Sequence, residues 1–196
     1  MILKNSSKSI INLNIKDNDD QTAFYLTCWN GHSDIAEMIM KKSSELKIDL
    51  NIKDNGDQTA FYLTCWNGHL DIAEMIMKKS SELKIDLNIK NTSGWTAFHA
   101  ACLNGHSDIA EMIMKKSSEL KIDLNIKDNS GWTAFHLACK YGHIRIVEMM
   151  IKQSESLELD LKTEDNSGKT GYQLAKTKWK TAVVNLIQTK MPSLAV

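Results

Sequence analysis

A chain of 196 residues is long enough for one ordinary domain or for one extended repeat array. Apolar residues at 42 % and charged residues at 24 % mark a folded chain and argue against disorder. Lysine plus arginine equals aspartate plus glutamate at 24 each, so no global field draws in a phosphate backbone, and nucleic acid is not the expected partner.

In chain order, the opening Met1-Ile2-Leu3-Lys4-Asn5-Ser6 lacks the roughly 7–15-residue apolar run of a secretory signal. No later stretch approaches the ~20 apolar residues that cross a bilayer, so no membrane insertion is expected. The glycosylation sequons at Asn5 and Asn91 are accordingly read as chance matches, and the expected compartment is the cytoplasm, with the nucleus as alternative. Met1–Lys4 stands in register with Met38–Lys41, so residues 1–12 read as a partial repeat. The face carrying Phe24, Ile35 and Ile39 is then expected to be poorly covered. The chain is expected to be a monomer or to self-associate weakly through that N-terminal face.

Cys28, Cys65, Cys102 and Cys139 are spaced 37 residues apart, and that period organises everything that follows. Residues 13–49 recur as 50–86 with changes only at Asp19/Gly56 and Ser33/Leu70. A third copy spans 87–123, a more diverged fourth 124–160, and a fifth begins at 161 and fills 161–196. The whole of 1–196 is therefore read as a single array, since an internal period outranks local pattern.

Each copy predicts two helices and a hairpin-like loop. In the fourth, Thr133 reads as the N-cap of a short helix from Ala134, which stops at Gly142, a residue suited to a left-handed C-cap. The second helix starts after His143, and Ile146, Val147, Met149, Met150 and Ile151 are dense enough to be buried on most sides. In the first copy, Ile35, Met38 and Ile39 share one face. Asp34 and Glu37 fall in the first turn and Lys41-Lys42 is placed in the last, as the helix dipole prefers. Ile48-Asp49-Leu50-Asn51-Ile52 alternates as an extended arm with one buried face, and Asn-Ser-Gly at 129–131 and 166–168 supplies turn chemistry. One unit has too little core to fold alone; stacked units bury a continuous apolar seam.

These residues resemble the ankyrin repeat. Its pattern is met in the fourth copy by Asp128, Gly131, Thr133, Phe135, His136, Ala138, Gly142, His143, Ile146, Val147, Met150 and Ile151. The resemblance implies an all-α, right-handed helical solenoid with a helix–turn–helix and a loop per repeat. Departures are informative. The family's proline is Ala23, Ala60, Ala97 and Ala134, so helix entry rests on threonine. The tip glycine is Asp20 and Asp57 in the first two copies, and the loop histidine is Tyr25 and Tyr62. The usual period is about 33 residues. The four extra, in Ser-Ser-Glu-Leu-Lys-Ile, read as one more turn on the second helix, with Leu46, Leu83, Leu120 and Leu157 covering the seam. The fifth copy, with Lys176, Gln188 and Trp179-Lys180 where others have Cys, Met and Gly-His, reads as a cap with a polar outer face.

The chemistry-bearing residues are accounted for by the repeat. The cysteines read as buried, reduced packing residues, the histidines as structural. No Cys-x-x-Cys pair and no Gly-Lys-Ser/Thr loop occurs, so neither catalysis, metal nor cofactor is expected. The resemblance implies a partner-binding surface on the loop tips and the open side of the first helices. Carried over, this is Lys16, Asn18, Asp19, Gln21, Trp29 and Asn30; then Lys53, Asn55, Gly56, Gln58, Trp66 and Asn67. The third copy adds Lys90, Thr92, Ser93, Trp95, Leu103 and Asn104, and the fourth Lys127, Asn129, Ser130, Trp132, Lys140 and Tyr141. The tryptophans either anchor a partner or lie across the neighbouring repeat. Lys16, Lys53, Lys90 and Lys127 form a ladder, read as a solvated stripe balanced by aspartates. The expected function is a scaffold or adaptor holding a protein on its concave face. A recruiting or autoinhibitory arm of a larger enzyme or channel is the alternative.

Overall fold

The computed structural model describes residues 12–195; the partial repeat read over 1–12 and the Asn5 sequon lie almost wholly outside them. Ten α-helices occur among the described residues, two per rung. The first helices are α1 (Ala23–Asn30), α3 (Ala60–Asn67), α5 (Ala97–Asn104), α7 (Ala134–Tyr141) and α9 (Gly171–Thr177). The second helices are α2 (Ser33–Leu46), α4 (Leu70–Leu83), α6 (Ser107–Leu120), α8 (Ile144–Gln153) and α10 (Thr181–Lys190), followed by a 3₁₀ turn at Pro192–Leu194. First helices pack in one row, α1 on α3 on α5 on α7 on α9, and second helices in a parallel row behind them. The architecture is an all-α repeat solenoid.

α3, α5 and α7 are each sandwiched between two neighbours, which is why they are apolar nearly all round rather than on one stripe. α3 buries Ala60, Phe61, Tyr62, Leu63, Thr64 and Cys65 in succession. Threonine caps it as expected: the Thr59 hydroxyl accepts from the Tyr62 N–H, and Thr22 does the same for Tyr25. Gly68 ends the helix in the left-handed region at φ 81°, and its N–H closes on the Thr64 carbonyl. Conformation is only half the reason for glycine here. The His106 ring of the next rung lies on Gly68 so closely that a Cβ would stand 2.6 Å from Cε1. The same ring bonds back to the Trp66 carbonyl at 2.9 Å, so histidine and glycine form one inter-rung joint.

The extra residues of the long period do extend the second helices. α2, α4 and α6 each run 14 residues and end on a left-handed lysine, Lys47, Lys84 or Lys121. Lys41-Lys42 consequently does not sit in the last turn of α2, which has no basic residue. Lys41 pairs with Glu37 at 2.7 Å and Lys42 with Glu45 at 2.6 Å. The second pair recurs as Lys79–Glu82 and Lys116–Glu119. In the fourth rung those positions are Gln153 and Ser156, and α8 stops at Gln153. There the Ser156 hydroxyl donates to the Gln153 carbonyl, in competition with helix continuation, whereas the Ser154 bond to Ile151 recurs at Ser43, Ser80 and Ser117 in the longer helices. The added helical turn therefore reaches Leu46, Leu83 and Leu120, while Leu157 covers the seam from a turn instead; all four pack on the core.

The arm after each second helix carries a clamp. Asn51 Nδ2 donates to the Lys84 carbonyl and its Oδ1 accepts from the Asp86 N–H, both at 2.9 Å. Asn14, Asn88 and Asn125 do the same one rung apart, reaching Lys47 and Asp49, Lys121 and Asp123, Glu158 and Asp160. One side-chain amide thus joins each arm to the next as a short strand would.

At the N-terminal end the expected bare face is narrower than predicted. Phe24 and Ile39 are buried, and only Ile35 of the three is open at 48 % exposure, beside Met38. At the other end, α10 buries Val183 and Ile187, and Leu194 folds back onto the core. The polar outer face holds for Lys176 and Lys178 but not for Trp179, which is 89 % exposed.

Candidate partner-binding face

The loop of each rung is built on an aspartate or asparagine. Asp54 Oδ1 accepts from the backbone N–H of Gly56 and Gln58, and Asp17, Asn91, Asp128 and Asp165 repeat the pattern. This side-chain turn places the following tip residue in the left-handed region. Asp20 and Asp57 adopt it at φ 63° and 58° where other rungs have glycine, as their short polar side chains permit. Tips then join in a chain of backbone bonds: Asn55 to Asp19, Thr92 to Gly56, Asn129 to Ser93 and Asn166 to Ser130. The Asn129 amide adds a bond to the Thr92 carbonyl at 2.9 Å.

The second carboxylate oxygen of the loop aspartate receives a ring from the rung before. Tyr25 donates its hydroxyl to Asp54 Oδ2 at 2.5 Å, Trp95 its indole N–H to Asp128 Oδ2 at 2.7 Å, and Trp132 its own to Asp165 Oδ2 at 2.8 Å. Burial and then the Asp54 bond push the Tyr25 hydroxyl far above its ordinary range. Against burial, which pushes it up, the Lys169 N–H and the Trp132 indole hold Asp165 below the usual carboxylate range. Tyr25 thus answers what replaces the loop histidine's bonds in the first rung. Where histidine is present it closes a capping box: the Thr96 N–H donates to His99 Nδ1, and His99 Nε2 reaches the Trp132 carbonyl at 3.2 Å. Burial pulls the His99 pKa down to about 4 and lowers that of His136, its copy one rung on. The four cysteines are free and buried, and burial pushes the Cys28 thiol up to about 12 and the others in the same direction.

The predicted surface residues divide accordingly. Trp95 and Trp132 lie half-buried across the next loop. Trp66 is half-buried too, stacked between Tyr62 and Trp95 at centroid distances of 5.9 and 6.1 Å. Trp29 leans on Tyr25 and stays open at 46 % exposure, and Tyr141 stays open at 44 %. Leu103 is half-buried, and Lys140 holds its ammonium 3.9 Å from the Trp132 ring centre. Asn18, Asp19, Asn55, Ser93 and Asn129 are exposed, Gln21 and Gln58 half so.

The lysine ladder splits. Lys16 and Lys53 pair with Asp20 and Asp57 at 3.3 and 3.5 Å, whereas Lys90 and Lys127 donate to the Lys127 and Glu164 carbonyls one rung on. Sequence reasoning missed the aspartate acceptors. Their signal was present in the repeated 33-residue spacing from Trp95 to Asp128 and from Trp132 to Asp165.

Concavities also lie elsewhere, between neighbouring second helices. One of about 530 Å³ is lined by Glu74, Met77, Lys78, Met112 and Lys116, and a smaller equivalent recurs one rung earlier. They are the intervals between parallel helices, and their lysines and glutamates carry both signs. No described helix is long and apolar enough to cross a membrane.

A family model described as ankyrin repeats, in three copies, matches residues 2–91 and again 81–165. No curated protein matches the chain. The stacked helix pairs, threonine caps and glycine–histidine joints agree with this match over most of the length, and the chain belongs to the ankyrin repeat family.

Proposed function

We propose that this chain is a scaffold or adaptor that holds a protein partner against its concave face, formed by the loop tips and the open side of the first helices. Ankyrin repeats are in general protein-interaction modules, which supports the coarse reading. The finer one is carried by a single observation. Trp29 and Tyr141 remain nearly half exposed on that side, although the stack has already satisfied its buried polar side chains. A large ring left open costs solvation that folding does not recover, and aromatic rings of this kind are common anchors. Leu103 and Lys140 lie between them in the same helix position as Trp29, giving a row from rung to rung. The site comprises Lys16, Asn18, Asp19, Gln21 and Trp29; Lys53, Asn55, Gln58 and Trp66; Lys90, Ser93, Trp95 and Leu103; Lys127, Asn129, Trp132, Lys140 and Tyr141. The first two rungs present one patch twice, suited to a repetitive or bivalent ligand. We assign no catalytic role, and place the protein in the cytoplasm.

The test is selection of protein ligands against the wild-type array, followed by binding to Trp29→Ala and Tyr141→Ala variants. Weakened binding at an unchanged unfolding midpoint supports the reading. Ligands that bind both variants as tightly as wild type place the interface elsewhere.

A further inference from the structure

The zero net charge conceals a gradient along the array. Residues 13–49 hold four lysines against seven acids, while residues 161–196 hold six lysines against two. At the basic end one feature is not explained by capping. Trp179 occupies the position of Gly31, Gly68, Gly105 and Gly142, and it keeps their left-handed backbone at φ 56°. A bulky side chain is strained there. In the earlier rungs a Cβ at that point would run into the next rung's histidine or lysine side chain, as at Gly105 with His143 at 2.5 Å. The Trp179 ring projects outward, 89 % exposed, the most exposed large apolar side chain among the described residues.

Its surroundings are cationic. Lys176 and Lys178 are exposed and Lys180 lays its stem over Gly142. Burial first, and then the positive charge of Lys178, make the Lys140 ammonium easier to deprotonate than usual. None of these four lysines is in an ion pair among the described residues, whereas Lys41, Lys42, Lys79 and Lys116 are. A turn with one protruding indole, flanked in the chain by lysines that no described carboxylate neutralises, matches one kind of environment well. Indoles favour the headgroup level of a bilayer, and lysines favour the anionic leaflet. A single-stranded nucleic acid would instead want a basic groove with several stacking rings along it. This turn offers one exposed ring.

We propose that the turn between α9 and α10 is a docking point for an anionic membrane surface, with Trp179 seated at the headgroup level and Lys176, Lys178 and Lys180 on the lipid phosphates and carboxylates. The occupant is an anionic lipid surface, and contact is peripheral and reversible.

The full chain is sedimented with phosphatidylcholine vesicles, with and without phosphatidylserine. The expected result is binding only with phosphatidylserine, weakened by added salt. Trp179→Gly restores the residue of the other four rungs and relieves the left-handed strain, so it unfolds at the same or a higher denaturant concentration while vesicle affinity falls about fivefold or more. Each Lys→Gln change at 176, 178 or 180 lowers affinity about fivefold. Absence of phosphatidylserine-dependent binding overturns the proposal, and so does equal binding by Trp179→Gly. Wild-type binding to a single-stranded oligonucleotide or to polyglutamate, with no vesicle binding, overturns it in favour of those partners.

Discussion

The Trp132 indole donates to Asp165, 33 residues further along, at 2.8 Å, and Trp95 repeats the bond to Asp128. Tryptophans that the sequence assigns to one surface therefore have different duties. Trp95 and Trp132 tie one loop to the next, while Trp29 has a ring neighbour within its own helix and an open face. Trp95→Phe and Trp132→Phe each remove the donor but keep a ring, and should cost about 1–2 kcal/mol. Trp29→Ala should cost less than about 1 kcal/mol. Urea unfolding followed by circular dichroism measures all three, and equal losses would refute the division.

Left-handed backbone makes two opposite predictions. Lys84 holds φ 54° without being glycine, so Lys84→Gly should stabilise the array by about 0.5–1 kcal/mol through relief of that strain. Gly68 at φ 81° has the His106 ring upon it, so Gly68→Ala meets both strain and collision and should cost about 2–4 kcal/mol. A rise in unfolding midpoint for the first and a fall for the second is expected. Two falls would show that the αL lysine contributes more than its strain takes away.

The fold was legible because the period and its caps are local: threonine before the first helix, glycine after it, and apolar positions repeating in between. Asp20 and Asp57 could be placed at left-handed tips for the same reason. What could not be read was pairing between rungs. Asn51 looks like one more polar residue in an alternating arm, and nothing in its immediate neighbours announces that it reaches Lys84 and Asp86. Likewise, the carry-over of surface positions treated Trp29 and Trp95 as equivalent, because their roles separate only once Asp128 is opposite one of them. The shorter α8 was missed because Gln153 and Ser156 are ordinary helix residues; their effect is the loss of a cross-turn pair.

Asn51→Ala removes both inter-rung bonds of one clamp and leaves the Lys84 carbonyl and Asp86 N–H without their partner. Both groups are near solvent, so water recovers part of the loss, and the cost should be about 1–2 kcal/mol. Because rungs interact with nearest neighbours, the effect should be local. Native-state hydrogen exchange at the Asp86 amide should accelerate by about tenfold or more, with little change at Asp160. Uniform acceleration along the array would mean that the clamp acts through global stability alone.

Acid should weaken the stack through its buried histidines before most carboxylates titrate. His99 Nδ1 accepts the Thr96 N–H at 3.2 Å, so the ring is bound as the neutral form, and burial draws its pKa to about 4. The unfolded value is roughly 6.5, so below that pH the unfolded chain takes up a proton that the folded one refuses. The stability held above pH ~6.5 is therefore lost progressively as pH falls towards the folded value, by about 2 kcal/mol at pH ~5 from this residue. His136, lowered for the same reason, adds loss in the same direction. His99→Gln supplies the control, because Gln173 already fills the equivalent position and accepts the Thr170 N–H at 2.9 Å. That variant should lose distinctly less stability than wild type between neutral pH and pH ~5. Parallel pH profiles for the two proteins would show that the ring at His99 is not held neutral by the fold.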